Sequence, residues 1–186
     1  MSFMFNRFPP PSRRAIYFAR EAALNMGASE IDPTHLLGGL TVDQNSRVNT
    51  VFKLDQRLSD EAAQMRSMSK AADQKVIPLT KDMKQILRLA EDEANRLNSY
   101  WIDTDHLTLG LLRAKDSIAG SKLATAGLEI HEARRIIERC TDRPDYGCVP
   151  ALWWLSKPIS HVGHRAAIMY LLLVVVLFKF LAGRSC

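Results

Sequence analysis

Apolar residues recur at helical spacing along most of the chain. Ala15, Ile16, Phe18, Ala19, Ala22, Ala23 and Met26 form one stripe, and Ile86, Leu87, Leu89, Ala90, Ala94 and Leu97 form a second. Spacings of three and four residues place such side chains on one face of an α-helix. Ser12 and Thr80 stand where each helix needs an N-cap, a hydroxyl that accepts from an amide of the first turn. A short connector follows each stripe and leads to another helix. Asp32 and Asp103 occupy its cap positions, and Pro33 takes a first helical position in the earlier segment. Leu36, Leu37 and Leu40, with Leu107, Leu111 and Leu112, then turn to the core. Val48, Val51 and Phe52 predict a third helix, matched later by Ala119, Leu123 and Ala124. Leu58, Ala62 and Met65 predict a fourth, matched by Ala133, Ile136 and Ile137. Residues 67–76 are polar and predict a loop between the two halves. Alternation of period two is absent, so the fold class is all-α.

The two halves are copies. Residues 15–40 lie on residues 86–111 at a constant offset of 71 without a gap, and eight of the 26 pairs are identical. These are Ala19/Ala90, Ala23/Ala94, Ile31/Ile102, Asp32/Asp103, His35/His106, Leu36/Leu107, Gly39/Gly110 and Leu40/Leu111. A repeat of this length predicts one supersecondary unit, duplicated and packed on itself. The expectation is two four-helix repeats related by a pseudo-twofold axis, within a domain spanning 1–139. Copy one covers about 5–66 and copy two about 79–139.

The end of the chain has a different character. Residues 166–178 form an unbroken apolar run, Lys179 interrupts it, and Phe180, Leu181 and Ala182 continue it. Seventeen helical residues reach about 25 Å, slightly short of a hydrocarbon core of ~30 Å. The Lys179 ammonium snorkels to the headgroups in such a span, and Val162 and Gly163 extend it. Residues 162–183 are therefore expected to form a hydrophobic C-terminal helix that crosses a membrane once. Arg139, Arg143, Lys157 and Arg165 precede this segment and only Arg184 follows it, which keeps the domain on the cytoplasmic side. Residues 140–161 read as a linker, broken by Pro144, Pro150 and Pro158. Residues 1–11 lack the apolar stretch of a secretory signal.

Composition narrows the function classes. The chain has 186 residues and a formal net charge of +5. Residues 1–139 hold 20 Lys/Arg against 18 Asp/Glu, and residues 140–186 hold five against two. The domain is close to neutral and lacks a basic run, which argues against nucleic-acid binding. Cys140, Cys148 and Cys186 match no zinc spacing and read as free thiols in a reducing compartment.

The opening MFNRF, Met4 to Phe8, resembles the start of the N-terminal domain of Clp unfoldases, particularly the ClpC branch. The blocks AREAALNMGASEIDPTHLLGGL and AEDEANRLNSYWIDTDHLTLGLL resemble that family's duplicated motif. The likeness spans about residues 4–139. It implies a double-repeat helical module that binds proteins and has no cofactor. No G-x-x-x-x-G-K-[ST] loop occurs in the sequence, so no P-loop holds ATP phosphates and the chain is not expected to be an unfoldase or another enzyme. The implied partners are protein clients or adaptors, with Clp ATPase or protease subunits beside them, and the membrane through the C-terminal helix. An alternative role is a structural accessory subunit that stabilises a Clp protease assembly. In the ClpC branch the module also binds phosphorylated arginine, through a threonine at the first helix start and a glutamate before the motif histidine. Copy two has Thr80 and Asp105 at those positions. Copy one has Pro9 and Thr34, so at most one such site is expected.

The remaining candidates have structural readings. His35 and His106 fall in the first turn after a capping aspartate and read as histidines bonded to nearby backbone, together with Asp32 and Asp103 as the repeat's structural motif. They read neither as catalysts nor as metal ligands. A metal hydrolase built on them ranks last among the functions, and no metal site is expected. His161 and His164 read as membrane-interface residues. Asp82, Glu91, Asp92 and Glu93 read as a solvated acidic face. Trp101, where copy one has Glu30, is expected to pack into the seam between the repeats.

Overall fold

In the computed structural model the described residues are 6–42 and 76–139. They form six helices: α1 (Pro10–Asn25), α2 (Pro33–Val42), α3 (Lys81–Arg96), α4 (Thr104–Arg113), α5 (Ile118–Thr125) and α6 (Ile130–Arg139). Copy two thus shows all four expected helices. The third and fourth helices of copy one, the linker 140–161 and the apolar segment 162–183 lie outside the described residues. Among the described residues no helix is long and apolar enough to cross a membrane.

The first helix of each repeat packs on the second, α1 on α2 and α3 on α4. Both crossings depend on a glycine. A Cβ on Gly39 would collide with the Ala15 carbonyl oxygen and stand 2.9 Å from the Ala19 amide nitrogen. A Cβ on Gly110 would stand 2.7 Å from the Ile86 carbonyl oxygen and 3.0 Å from the Ala90 amide nitrogen. All three positions in each contact are related by the repeat offset, so the identity Gly39/Gly110 records a helix crossing too close for any side chain. The paired residues Ala19/Ala90, Ala23/Ala94, Ile31/Ile102, Leu36/Leu107 and Leu40/Leu111 are all buried in one continuous core.

The first helices also end alike. After α1, Gly27 takes φ +69°, and the Ala28 amide donates to the Ala23 carbonyl at 2.8 Å. After α3, Asn98 takes φ +54°, and the Ser99 amide donates to the Ala94 carbonyl at 2.8 Å. This left-handed stop satisfies carbonyls that the last turn leaves open.

The repeats are joined by crossed arms. The segment before each first helix lies on the connector of the other repeat. The Ile31 amide donates to the Pro78 carbonyl, and the Ile102 amide donates to the Arg7 carbonyl, each at 2.8 Å. Positions 7 and 78 and positions 31 and 102 differ by the offset of 71, so the pseudo-twofold relation holds down to single hydrogen bonds. The symmetry then breaks. The Thr80 amide donates to the Ile31 carbonyl at 3.0 Å and completes a parallel bridge between Ile31 and Leu79. Its counterpart is Pro9, which has no N–H. The Ile102 carbonyl instead accepts from the Ser12 hydroxyl at 2.8 Å.

That contact corrects the expectation that Ser12 caps a helix. The helix α1 begins at Pro10, has Pro9 at its N-cap and uses no side-chain cap. Proline suits the first turn because its missing N–H would have lacked a partner there anyway. The Ser12 hydroxyl is therefore free to serve the neighbouring repeat. Thr80 does cap α3, its hydroxyl accepting from the Met83 amide at 3.1 Å.

Candidate functional site

The short connectors and helix starts carry most of the polar residues singled out in the sequence. In copy two the Asp103 carboxylate accepts from the Thr104 amide at 2.7 Å and closes a reciprocal capping box with His106. The return bond runs from the Asp103 amide to His106 Nδ1 at 3.0 Å. Copy one repeats the arrangement. The Asp32 carboxylate accepts from the Thr34 and His35 amides at 2.7 and 3.0 Å, and the Asp32 amide donates to His35 Nδ1 at 3.1 Å. A ring nitrogen that accepts from the backbone fixes the imidazole's orientation. Among the described residues no group of three or more His, Cys, Asp or Glu is placed to share a metal ion.

Thr80 and Asp105 occupy the starts of two adjoining helices. Thr80 is half-buried at the N-cap of α3, and Asp105 lies in the first turn of α4 with only 3% of its surface exposed. Both positions feel the positive end of a helix dipole. In copy one Pro9 is buried and has no hydroxyl, and Thr34 is half-buried with no carboxylate.

Beside the start of α3 runs a cleft of about 200 Å³, lined by Asp82, Gln85, Ile86, Ala114, Asp116 and Ser117. Its floor is apolar and its rim carries two exposed carboxylates. Neither Thr80 nor Asp105 lines it.

The supposed acidic face is dispersed by its partners. Asp92 is exposed, as expected. Glu91 instead accepts from Arg7 at 2.8 Å. Glu93 is 1% exposed and accepts two hydrogen bonds from Arg134, Nε at 2.9 Å and Nη2 at 2.6 Å, with Arg113 3.3 Å away. The hydrogen bonds to Glu93 raise the Arg134 guanidinium above its ordinary pKa, against the opposing effect of desolvation. The physical reason for the correction is position. Glu93 follows Ala90 by three and Ile86 by seven, so it lies on the inner stripe of α3 and needs a buried partner. The spacing was a usable signal; Arg134, 41 residues away, was not.

Arg7 was missed as a side chain of consequence. Its guanidinium donates to the Tyr100 carbonyl at 2.8 Å, Glu91 at 2.8 Å, Asn95 at 2.9 Å and the Ser99 carbonyl at 3.3 Å. It also lies 5.6 Å from the centre of the Tyr100 ring. Trp101 is half-buried beside Tyr100, the two rings meeting edge to face at 4.8 Å.

Comparison with known proteins agrees with this geometry. Residues 78–147 match the family model described as the Clp repeat (R) N-terminal domain. The chain is 26% identical over 136 residues to the chaperone protein ClpB of Oceanobacillus iheyensis, covering 71% of this chain and 17% of that one. Identity and coverage are the same with the negative regulator of genetic competence ClpC/MecB of Bacillus subtilis. The chain thus spans under a fifth of the length of these curated relatives. Its fold matches the crystal structure of the N-terminal domain of the chaperone ClpD from Arabidopsis thaliana, with a TM-score of 0.55 and 20% identity, covering 71% of this chain and 95% of that one. By sequence, residues 78–147 resemble the Clp N-terminal repeat, and by fold the chain resembles a Clp N-terminal domain.

Proposed function

We propose that this chain is a non-catalytic protein-binding module, tethered to a membrane by residues 162–183, that brings protein clients or adaptors to Clp-type proteolysis. The observation that carries the reading is the match of residues 78–147 to the Clp N-terminal repeat, with the same motif recurring in residues 15–40 and no P-loop in the sequence. Such a module recognises partner proteins without itself turning over ATP. A tether raises its effective concentration near membrane clients.

Within this reading, phosphorylated arginine is taken up by copy two alone. Thr80 lies at a helix N-terminus suited to phosphate, and Asp105 supplies the carboxylate for a guanidinium. Copy one, with Pro9 and Thr34, contributes no such site.

The test is a crosslinked pull-down from membranes, with the full-length chain beside one truncated after Arg139. Recovery of a Clp ATPase, protease or adaptor by both forms supports recruitment, with the tail serving only to localise the module. A membrane protein recovered by the full-length chain alone, with no Clp component in either sample, refutes it.

A further inference from the structure

The arm of copy one is held in the way a peptide ligand is held. Its main chain bonds edge-on to a connector, through the Ile102 amide and the Arg7 carbonyl at 2.8 Å. The Arg7 guanidinium fills a cradle made of one carboxylate, one side-chain amide oxygen and two backbone carbonyls, those of Glu91, Asn95, Ser99 and Tyr100. Phe8 follows and is completely buried. Main-chain bonds to an edge, with pockets for side chains, are a recurring mode of extended-peptide recognition, and arginine and aromatic side chains are its common anchors.

The symmetry-related joint closes without such a cradle. At the symmetry-related joint the arginine position is Pro78 and the phenylalanine position is Leu79, and the Ile31 amide still bonds the Pro78 carbonyl at 2.8 Å. Copy one has Arg20, Leu24 and Ser29 where copy two has Glu91, Asn95 and Tyr100. One joint therefore closes on aliphatic packing and main-chain bonds, while the other adds a reader for a guanidinium.

We propose that residues 91–102 form a recognition groove for an extended segment in which arginine precedes a large aromatic residue. The chain's own arm is its resident occupant, and a client segment of this kind displaces it. The use by clients rests on the protein-binding reading above. Because the arm is attached to the groove it fills, its effective concentration is high, and an outside segment binds only in competition with it.

The test uses the full chain and a fluorescent peptide with the sequence of residues 4–12. Arg7→Glu in the chain sets a carboxylate against Glu91 and unseats the arm, while residues 91–102 stay unaltered. The Arg7→Glu chain should bind the peptide about tenfold or more tighter than the unaltered chain, and the same peptide carrying R7A should bind about tenfold or more weaker. A chain that keeps its helical circular dichroism and takes up no peptide, or takes up both peptides equally, overturns the proposal. Should Arg7→Glu lose its helicity, a photo-crosslinker at the Phe8 position of the peptide, used in excess on the unaltered chain, decides the matter. A photo-crosslinker at the Arg7 position serves as the control; links from that position to residues 91–102 support the groove, and links elsewhere, or none, overturn it. Peptide binding with an empty pull-down would leave the groove standing and remove recruitment to proteolysis, and the reverse pair of results would remove only the groove.

Discussion

The first two helices of each repeat share a fold, but the residues around them differ in chemistry. Copy one packs α1 with small residues, and at the position equivalent to Glu93 it has Ala22, which is buried. Copy two places a carboxylate at that point and fastens α6 to α3 through Arg134. The shared positions, Gly39/Gly110 and the Asp–His boxes, set the path of the backbone. The unshared ones decide how each half is secured.

The sharpest way to separate the halves is to remove the fastening built on Glu93, whose counterpart in copy one is Ala22. Arg134→Ala leaves Glu93 buried beside Arg113 alone, and it should cost about 3 kcal/mol, since breaking one side of a buried ion pair leaves a charge without full compensation. Urea denaturation measures it, and a loss below about 1 kcal/mol would show that Arg113 suffices.

Where the repeats agree, they should fail alike. Gly39→Ala and Gly110→Ala each force a methyl group against the backbone of the facing helix and should each cost about 1–3 kcal/mol. A thermal melt of both variants checks this; one neutral substitution would mean that one crossing relaxes and the other does not.

The broken joint offers a subtler comparison. Ser12→Ala removes the donor to the buried Ile102 carbonyl and should cost about 1–3 kcal/mol. Adding Pro9→Ala restores an N–H at the place where Thr80 supplies one in the other joint, so the double variant should recover part of that loss. A double-mutant cycle reads the coupling directly. No recovery would mean that residue 9 does not reach the carbonyl.

The smallest effect lies at the helix stops. Asn98→Gly should stabilise by a few tenths of a kcal/mol, because a left-handed residue suits glycine, and Gly27→Ala should destabilise by about 1 kcal/mol. Equilibrium denaturation of the pair checks the opposite signs.

Much of this was legible in the sequence. The stripes gave both helix pairs, and the offset of 71 predicted symmetry that extends to the Ile31–Pro78 and Ile102–Arg7 hydrogen bonds. Thr80 and the Asp103 box follow from local rules that act within four residues. What escaped depends on distant partners. Ser12 bonds a carbonyl 90 residues away, and Arg7 reaches one 93 residues away. Local spacing says that a hydroxyl stands near a helix start, but only the tertiary fold says whether a closer acceptor exists on another element. Glu93 lay between the two cases, since its place on the inner face was visible and its partner was not.

The exchange at Ile102 also constrains the order in which such a joint can change. A chain with proline at position 9 and no hydroxyl at position 12 leaves a buried carbonyl without its donor. A chain that gains the hydroxyl first passes through a form with two donors available, which carries no such penalty. If the double-mutant cycle shows recovery, the route to the present pair through Ser12 runs level and the one through Pro9 runs uphill. A residue in one repeat thus bears on which substitutions the other repeat tolerates at the crossed arms.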